Sequence, residues 1–116
     1  MALDRQQGRL FVACEPGKFI VYSTSTGKSV TSIEINKGAD GIYYDAKRRK
    51  IYVSTGEGFI DVIGPVAPDR YRLLERLGTV EGAGTSLYVP QLDLFVLATP
   101  QAGNRQAALR LYRPTL

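Results

Sequence analysis

The sequence predicts an all-β protein assembled from one four-strand unit used almost three times. Three observations carry this. Short runs rich in Val, Ile, Tyr and Phe recur at a near-constant spacing: Leu10–Cys14, Ile51–Thr55 and Phe95–Thr99 read alike, and their starts lie 41 and 44 residues apart. Gly, Pro, Asp and Ser clusters bound these runs, which is the chemistry of strands joined by tight turns. No window of 11 residues holds a convincing apolar period of 3.6.

Taken in order, the first unit opens on Met1–Leu3, continues with Leu10–Cys14 and Phe19–Tyr22, and ends on Ser29–Ile35. The turns Glu15-Pro16-Gly17-Lys18 and Ser25-Thr26-Gly27-Lys28 offer glycine where the chain must reverse. The second unit repeats the order as Ile42–Tyr44, Ile51–Thr55, Phe59–Val62 and Tyr71–Leu77. The last of these is the best helical candidate, but Tyr71, Leu73, Glu75 and Leu77 also fit a period of two, and it is read as a strand. The third unit supplies Leu87–Val89, Phe95–Thr99 and Leu109–Tyr112, and has no fourth run. Four strands at a period of about 40–45 residues mark a β-propeller blade. The fold class is therefore a partial β-propeller within one domain, 1–116. It has two full four-stranded antiparallel blades, about 1–35 and 41–78, and one incomplete blade, about 86–113.

Composition narrows the function classes. The chain has 116 residues, 44% hydrophobic and 22% charged, which suits one globular domain. It contains no histidine, which removes imidazole catalysis and imidazole metal sites, and its one cysteine, Cys14, cannot pair within the chain. Cys14 ends an alternating apolar set and is expected to be a small buried thiol. No apolar run reaches the roughly 18 residues of a membrane helix, and the polar start carries no apolar signal core. Neither observation places the chain in a compartment.

The residues then resemble a known family. Ile51-Tyr52-Val53-Ser54-Thr55 stands where YVTN-repeat β-propellers carry their Y-V-T-N, and Thr26-Gly27-Lys28 leads into a fourth strand as in that family. Tyr43–Ala46, Gly56–Val62 and Thr85–Pro90 fit the same pattern. The chain thus looks like the C-terminal blades of a bacterial YVTN-repeat propeller, a relative of the WD-repeat and NHL types. It departs at Ser23, where the family has aspartate, and at Phe95-Val96-Leu97, which replaces the Tyr-Val core. The resemblance implies a ring of roughly six to eight blades, often in an extracytoplasmic protein. Fewer than three blades are present, so the implied partners are the remaining blades of a longer propeller or further copies of the chain.

The resemblance also implies where a ligand would meet the protein: at loops around one mouth of a central channel. Those loops are 36–40 and 80–85 between units, and 15–18, 56–58 and 100–106 within them. The candidate binding residues are Asp40, Glu57, Glu81 and Arg105, with Glu15 a further carboxylate. Loop acids more often accept turn hydrogen bonds than hold a ligand, and no metal site or cofactor is expected. Asp4 and Asp45 follow the first strands of two units and are expected to serve their turns.

The net charge is +4 and spread along the chain, except for the run Lys47-Arg48-Arg49-Lys50. That run is the nucleic-acid alternative, with Tyr43 and Tyr44 close by. A solvated hairpin tip is the preferred reading of it. The function expected is a non-catalytic interaction scaffold working through its mouth loops. The alternatives are a piece of a lactonase- or dehydrogenase-like propeller enzyme, or a weak nucleic-acid binder.

Overall fold

Short β-branched runs cannot satisfy their own backbone groups, so they pair with their sequence neighbours wherever a turn lets the chain reverse. In the computed structural model, which describes residues 1–115, this yields three antiparallel sheets. Sheet I is β1 (Ala2–Asp4), β2 (Arg9–Cys14), β3 (Lys18–Ser23) and β4 (Ser29–Glu34). Sheet II is β5 (Ala39–Asp45), β6 (Lys50–Thr55), β7 (Phe59–Ala67) and β8 (Arg70–Gly78). Sheet III is β9 (Ser86–Val89), β10 (Leu94–Thr99) and β11 (Ala108–Tyr112), in spatial order β9-β10-β11. Among the described residues there is no α-helix and no fourth strand in sheet III.

Sheets I and II agree beyond strand order. Each carries a register shift between its third and fourth strands, at Val21/Tyr22 and at Val62/Ile63, and sheet II has a second at Pro65/Ala67. The first hairpins turn alike as well, since Gly8, Arg49 and Asp93 all take left-handed φ of 54–65° at the last turn residue. Several boundaries differ from expectation, and the start of β5 at Ala39 rather than Ile42 places Asp40 in a strand instead of the loop 36–40. β1 runs one residue later than read, so Asp4 and Asp45 are the last residues of their strands rather than the first of the turns. β7 continues to Ala67 through Pro65, because beyond Ile63 it has left β6 and pairs with β8 alone. A proline's missing donor is tolerated on such an edge. Pro90–Leu92 forms a 3-10 turn between β9 and β10. Pro90 presets its opening φ, and Asp93 closes it.

Successive side chains in a strand point to opposite faces. Strand β6 therefore divides Ile51 and Val53 from Tyr52, and each face has its own core. On one side Ile51, Val53 and Ile63 meet Phe11, Phe19, Val21 and Ile35 of sheet I and its following loop. On the other, Tyr52, Ile60 and Val62 meet Ala83, Tyr88, Phe95 and Leu97. Aromatic rings seal both junctions. Phe11 lies 5.3 Å from Tyr44 and 5.7 Å from Tyr71, and Tyr52 lies 5.4 Å from Tyr88 and 6.0 Å from Phe95, centroid to centroid. Each such burial contributes about 1.5–3 kcal/mol. Sheet II is the middle layer of three, and Ile51 through Thr55 are all buried.

Among the described residues, the outer faces of sheets I and III have no such cover. On sheet III, Leu87, Val96 and Leu111 form one cross-strand row, with Ala98 and Leu109 beside it. Leu87, Leu109 and Leu111 are 57%, 70% and 64% exposed. On sheet I, Leu3, Leu10 and Tyr22 make the corresponding row. Cys14 lies on this side, and it is half-buried rather than buried as expected, because this side of sheet I faces no second sheet among the described residues.

Candidate functional site

Loop carboxylates near unpaired backbone N–H groups tend to accept them, and two of the mouth acids do so. The Gly38 N–H donates to Glu15 Oε1 at 2.8 Å, and the Lys37 N–H donates to Glu57 Oε1. Backbone bonds then tie three loops into one ladder, from Gly56 N–H to Gly38 O (2.7 Å) and from Gly82 N–H to Gly56 O (2.8 Å). Thr79 N–H to Gly58 O (2.7 Å) adds a further rung.

Gly58 is required in this ladder. Its φ is +100°, and a β-carbon there would stand 2.9 Å from the Glu81 nitrogen and 3.0 Å from the Val80 carbonyl carbon. Both neighbours are backbone and cannot swing aside. Gly58→Ala is therefore expected to cost about 1–3 kcal/mol, read as a fall in midpoint on urea unfolding. A midpoint within error of wild type would show that the ladder yields.

The four expected binding residues do not converge on one point. Glu57 holds the loop after β4, as above. Arg105 turns back on its own loop, where Nε and a terminal nitrogen donate to Pro100 O at 3.3 and 3.0 Å. Asp40 is exposed and lies over Gly84, where a β-carbon would stand 1.8 Å from Asp40 Oδ2. Glu81 is exposed, with no hydrogen bond among the described residues. Among those residues, no group of three His, Cys, Asp or Glu side chains comes close enough to hold a metal ion.

The basic run is also divided. The Arg48 side chain is 5% exposed and forks onto Asp93, with both bonds at 2.7 Å, and it also donates to Asp45 Oδ2 at 3.0 Å. Lys50 Nζ donates to Thr115 O at 3.0 Å. Lys47 and Arg49 remain exposed. The run thus presents two outward cations where four were read.

Two polar centres join sheets, one at Asp45, which serves its turn as expected by accepting the Arg48 N–H at 3.2 Å but does more, and one at Asp61, which the sequence analysis does not single out. The first is Asp45, which is 1% exposed and accepts from Arg48 and from the Tyr52 hydroxyl (2.6 Å). Burial alone raises this carboxyl, but bonds from Tyr52 and Arg48 outweigh it and hold the group below its ordinary range. Burial, then the charge of Asp45, pushes Tyr88 up to about 12, and burial also raises Tyr52. These groups keep one protonation state through neutral pH, so none is matched to proton transfer there.

The second centre is Asp61, fully buried in mid-strand. It takes two bonds from Arg76, at 2.7 and 3.2 Å, and others from the Asn36 side chain and backbone. An acid inside the apolar run Phe59–Ile63, facing Arg76 on the next strand, was the available signal.

A groove of about 250 Å³ opens between the outer strands of sheet II and β11. Ile60, Val62, Leu77, Phe95 and Tyr112 form its apolar floor, and Lys50, Glu75 and Arg113 stand at its rim. Comparison with protein-family models and with curated proteins finds no match for this chain.

Proposed function

We propose that the chain is a non-catalytic interaction scaffold, a run of propeller-type blades of the YVTN-repeat kind that binds by continuing its own stack. The observation that carries this reading is the outer face of sheet III. It is as apolar as the faces that bury against sheet II, yet Leu87, Leu109 and Leu111 stand in solvent. Three large exposed leucines on β9 and β11, on either side of β10, mark an interaction surface rather than ordinary surface scatter. The occupant is a further blade of the same kind, from a longer chain or another copy. The mouth loops have a supporting role here, since Glu15, Glu57 and Arg105 are spent on holding them rigid. The burial of Arg48 weighs against the nucleic-acid alternative.

Light scattering after size exclusion tests the reading. The 116-residue chain is expected to self-associate as concentration rises, and the variant Leu109→Lys/Leu111→Lys to stay monomeric with unchanged circular dichroism. A wild-type chain that remains monomeric at high concentration and binds no apolar dye would contradict it.

A further inference from the structure

The pairing registers place sheets II and III in correspondence. Val53 pairs with Asp61 in sheet II, and at the same step Leu97 pairs with Arg110 in sheet III. Ile51 with Ile63 likewise answers to Phe95 with Tyr112. In sheet II a fourth strand, β8, lies beside these positions, with Arg76 opposite Asp61 and Leu73 opposite Ile63. Tyr71 and Leu73 of that strand pack onto the core shared with sheet I, with Tyr71 5.7 Å from Phe11 and 6.4 Å from Phe19. In sheet III, β11 pairs only with β10 among the described residues, so its far edge is open. The groove beside that edge has an apolar floor of Ile60, Val62, Leu77 and Tyr112.

Charge gives the occupant its chemistry. Where sheet II buries an acid against Arg76, sheet III has Arg110, which has no hydrogen bond or ion pair among the described residues. A second position agrees. Arg9, paired with Asp4, grips Asp69 at the β7–β8 turn with bonds of 2.8 and 3.0 Å. Lys50, paired with Asp45, holds the same place one sheet on. By register, an incoming strand therefore meets Arg110 beside one end and Lys50, which also donates to Thr115 O, beside the other, with Glu75 and Arg113 on the groove rim between the sheets, and the strand that fits is acidic at the two register points.

We infer that the open edge of β11 takes an extended peptide strand in trans. It is a strand with an acid at each end and an aromatic and a leucine between them, on the side that faces sheet II. Main-chain pairing supplies affinity in this mode, and the alternate side chains supply selectivity. The inference uses the correspondence of the sheets and not the outer leucine face, so the two proposals fail separately.

The probe is a synthetic peptide with the sequence of residues 69–78 carrying Arg76→Glu, compared with the unaltered peptide by fluorescence anisotropy at low salt. The Glu peptide is expected to bind about tenfold more tightly. On the protein variant Arg110→Glu the preference is expected to reverse, and on Arg110→Gln to vanish. The Gln variant keeps the comparison readable if the Glu variant fails to fold. Peptide binding indifferent to residue 110 overturns the inference, as does no binding by either peptide. Peptide affinity that falls as the protein doubles in mass would assign the edge to a second copy, and would overturn it too.

Discussion

Asp45→Ala is expected to lower the free energy of unfolding by about 3–5 kcal/mol, the usual cost of removing one partner from a buried ion pair. The carboxylate serves three donors at once: the Tyr52 hydroxyl, the Arg48 guanidinium and the Arg48 N–H. Its loss strands a buried phenol, and leaves Arg48 with Asp93 alone. Asp45→Asn keeps the shape and an acceptor, so its cost is expected to be smaller. Lys47→Ala/Arg49→Ala in the same hairpin is the control, with stability within about 0.5 kcal/mol of wild type. Equal effects from the two positions would contradict the division of the basic run into one tied cation and its exposed neighbours.

The same centre sets a pH dependence. The folded carboxyls of Asp45, Asp69 and Asp93 lie below their ordinary values, Asp45 through Tyr52 and Arg48, Asp69 through Arg9, and Asp93 through Arg48. A lowered folded value means that the unfolded chain binds protons first. Their contribution is thus complete above the unfolded carboxylate range, near pH ~4, and is lost as pH falls through the folded values. Urea midpoints measured from pH 6 downward are expected to fall below pH ~4, and to fall less in Asp45→Asn.

Phe11→Ala is the second large effect, at about 3–5 kcal/mol. Phe11 is buried at the junction of sheets I and II and touches rings from both, namely Phe19, Tyr44 and Tyr71. The cavity cannot collapse without separating two sheets. Leu109→Ala removes a similar apolar side chain from the uncovered face, and is expected to change monomer stability by no more than about 0.5 kcal/mol. Guanidinium unfolding at low protein concentration checks both. Comparable losses would mean that Leu109 is covered within the monomer.

The strands were legible because their signals are local. Leu10–Cys14, Ile51–Thr55 and Phe95–Thr99 each alternate side-chain faces between turn residues, and each became the second strand of its sheet. What was missed depends on distance along the chain. Pro65 reads as a strand stop, and only the departure of β7 from β6 makes it harmless. Arg48 reads as one of four solvated cations, and its burial depends on Asp93, 45 positions away. Glu15, Glu57 and Glu81 lie in the expected loops and Asp40 lies in β5, but whether an acid faces solvent or a neighbouring N–H is decided by how segments from different sheets meet. Cys14 was expected inside because its strand alternates, and alternation says which side a residue takes without saying whether that side is covered.

The central claim is that the outer face of sheet III is built to be covered. Methyl NMR through a dilution series addresses it most directly. The account predicts that the methyl signals of Leu87, Val96, Leu109 and Leu111 shift together as concentration rises, while those of Ala39, Val80 and Ala83 in and beside the mouth loops stay still. Shifts at the mouth with an unmoved sheet III face would contradict it.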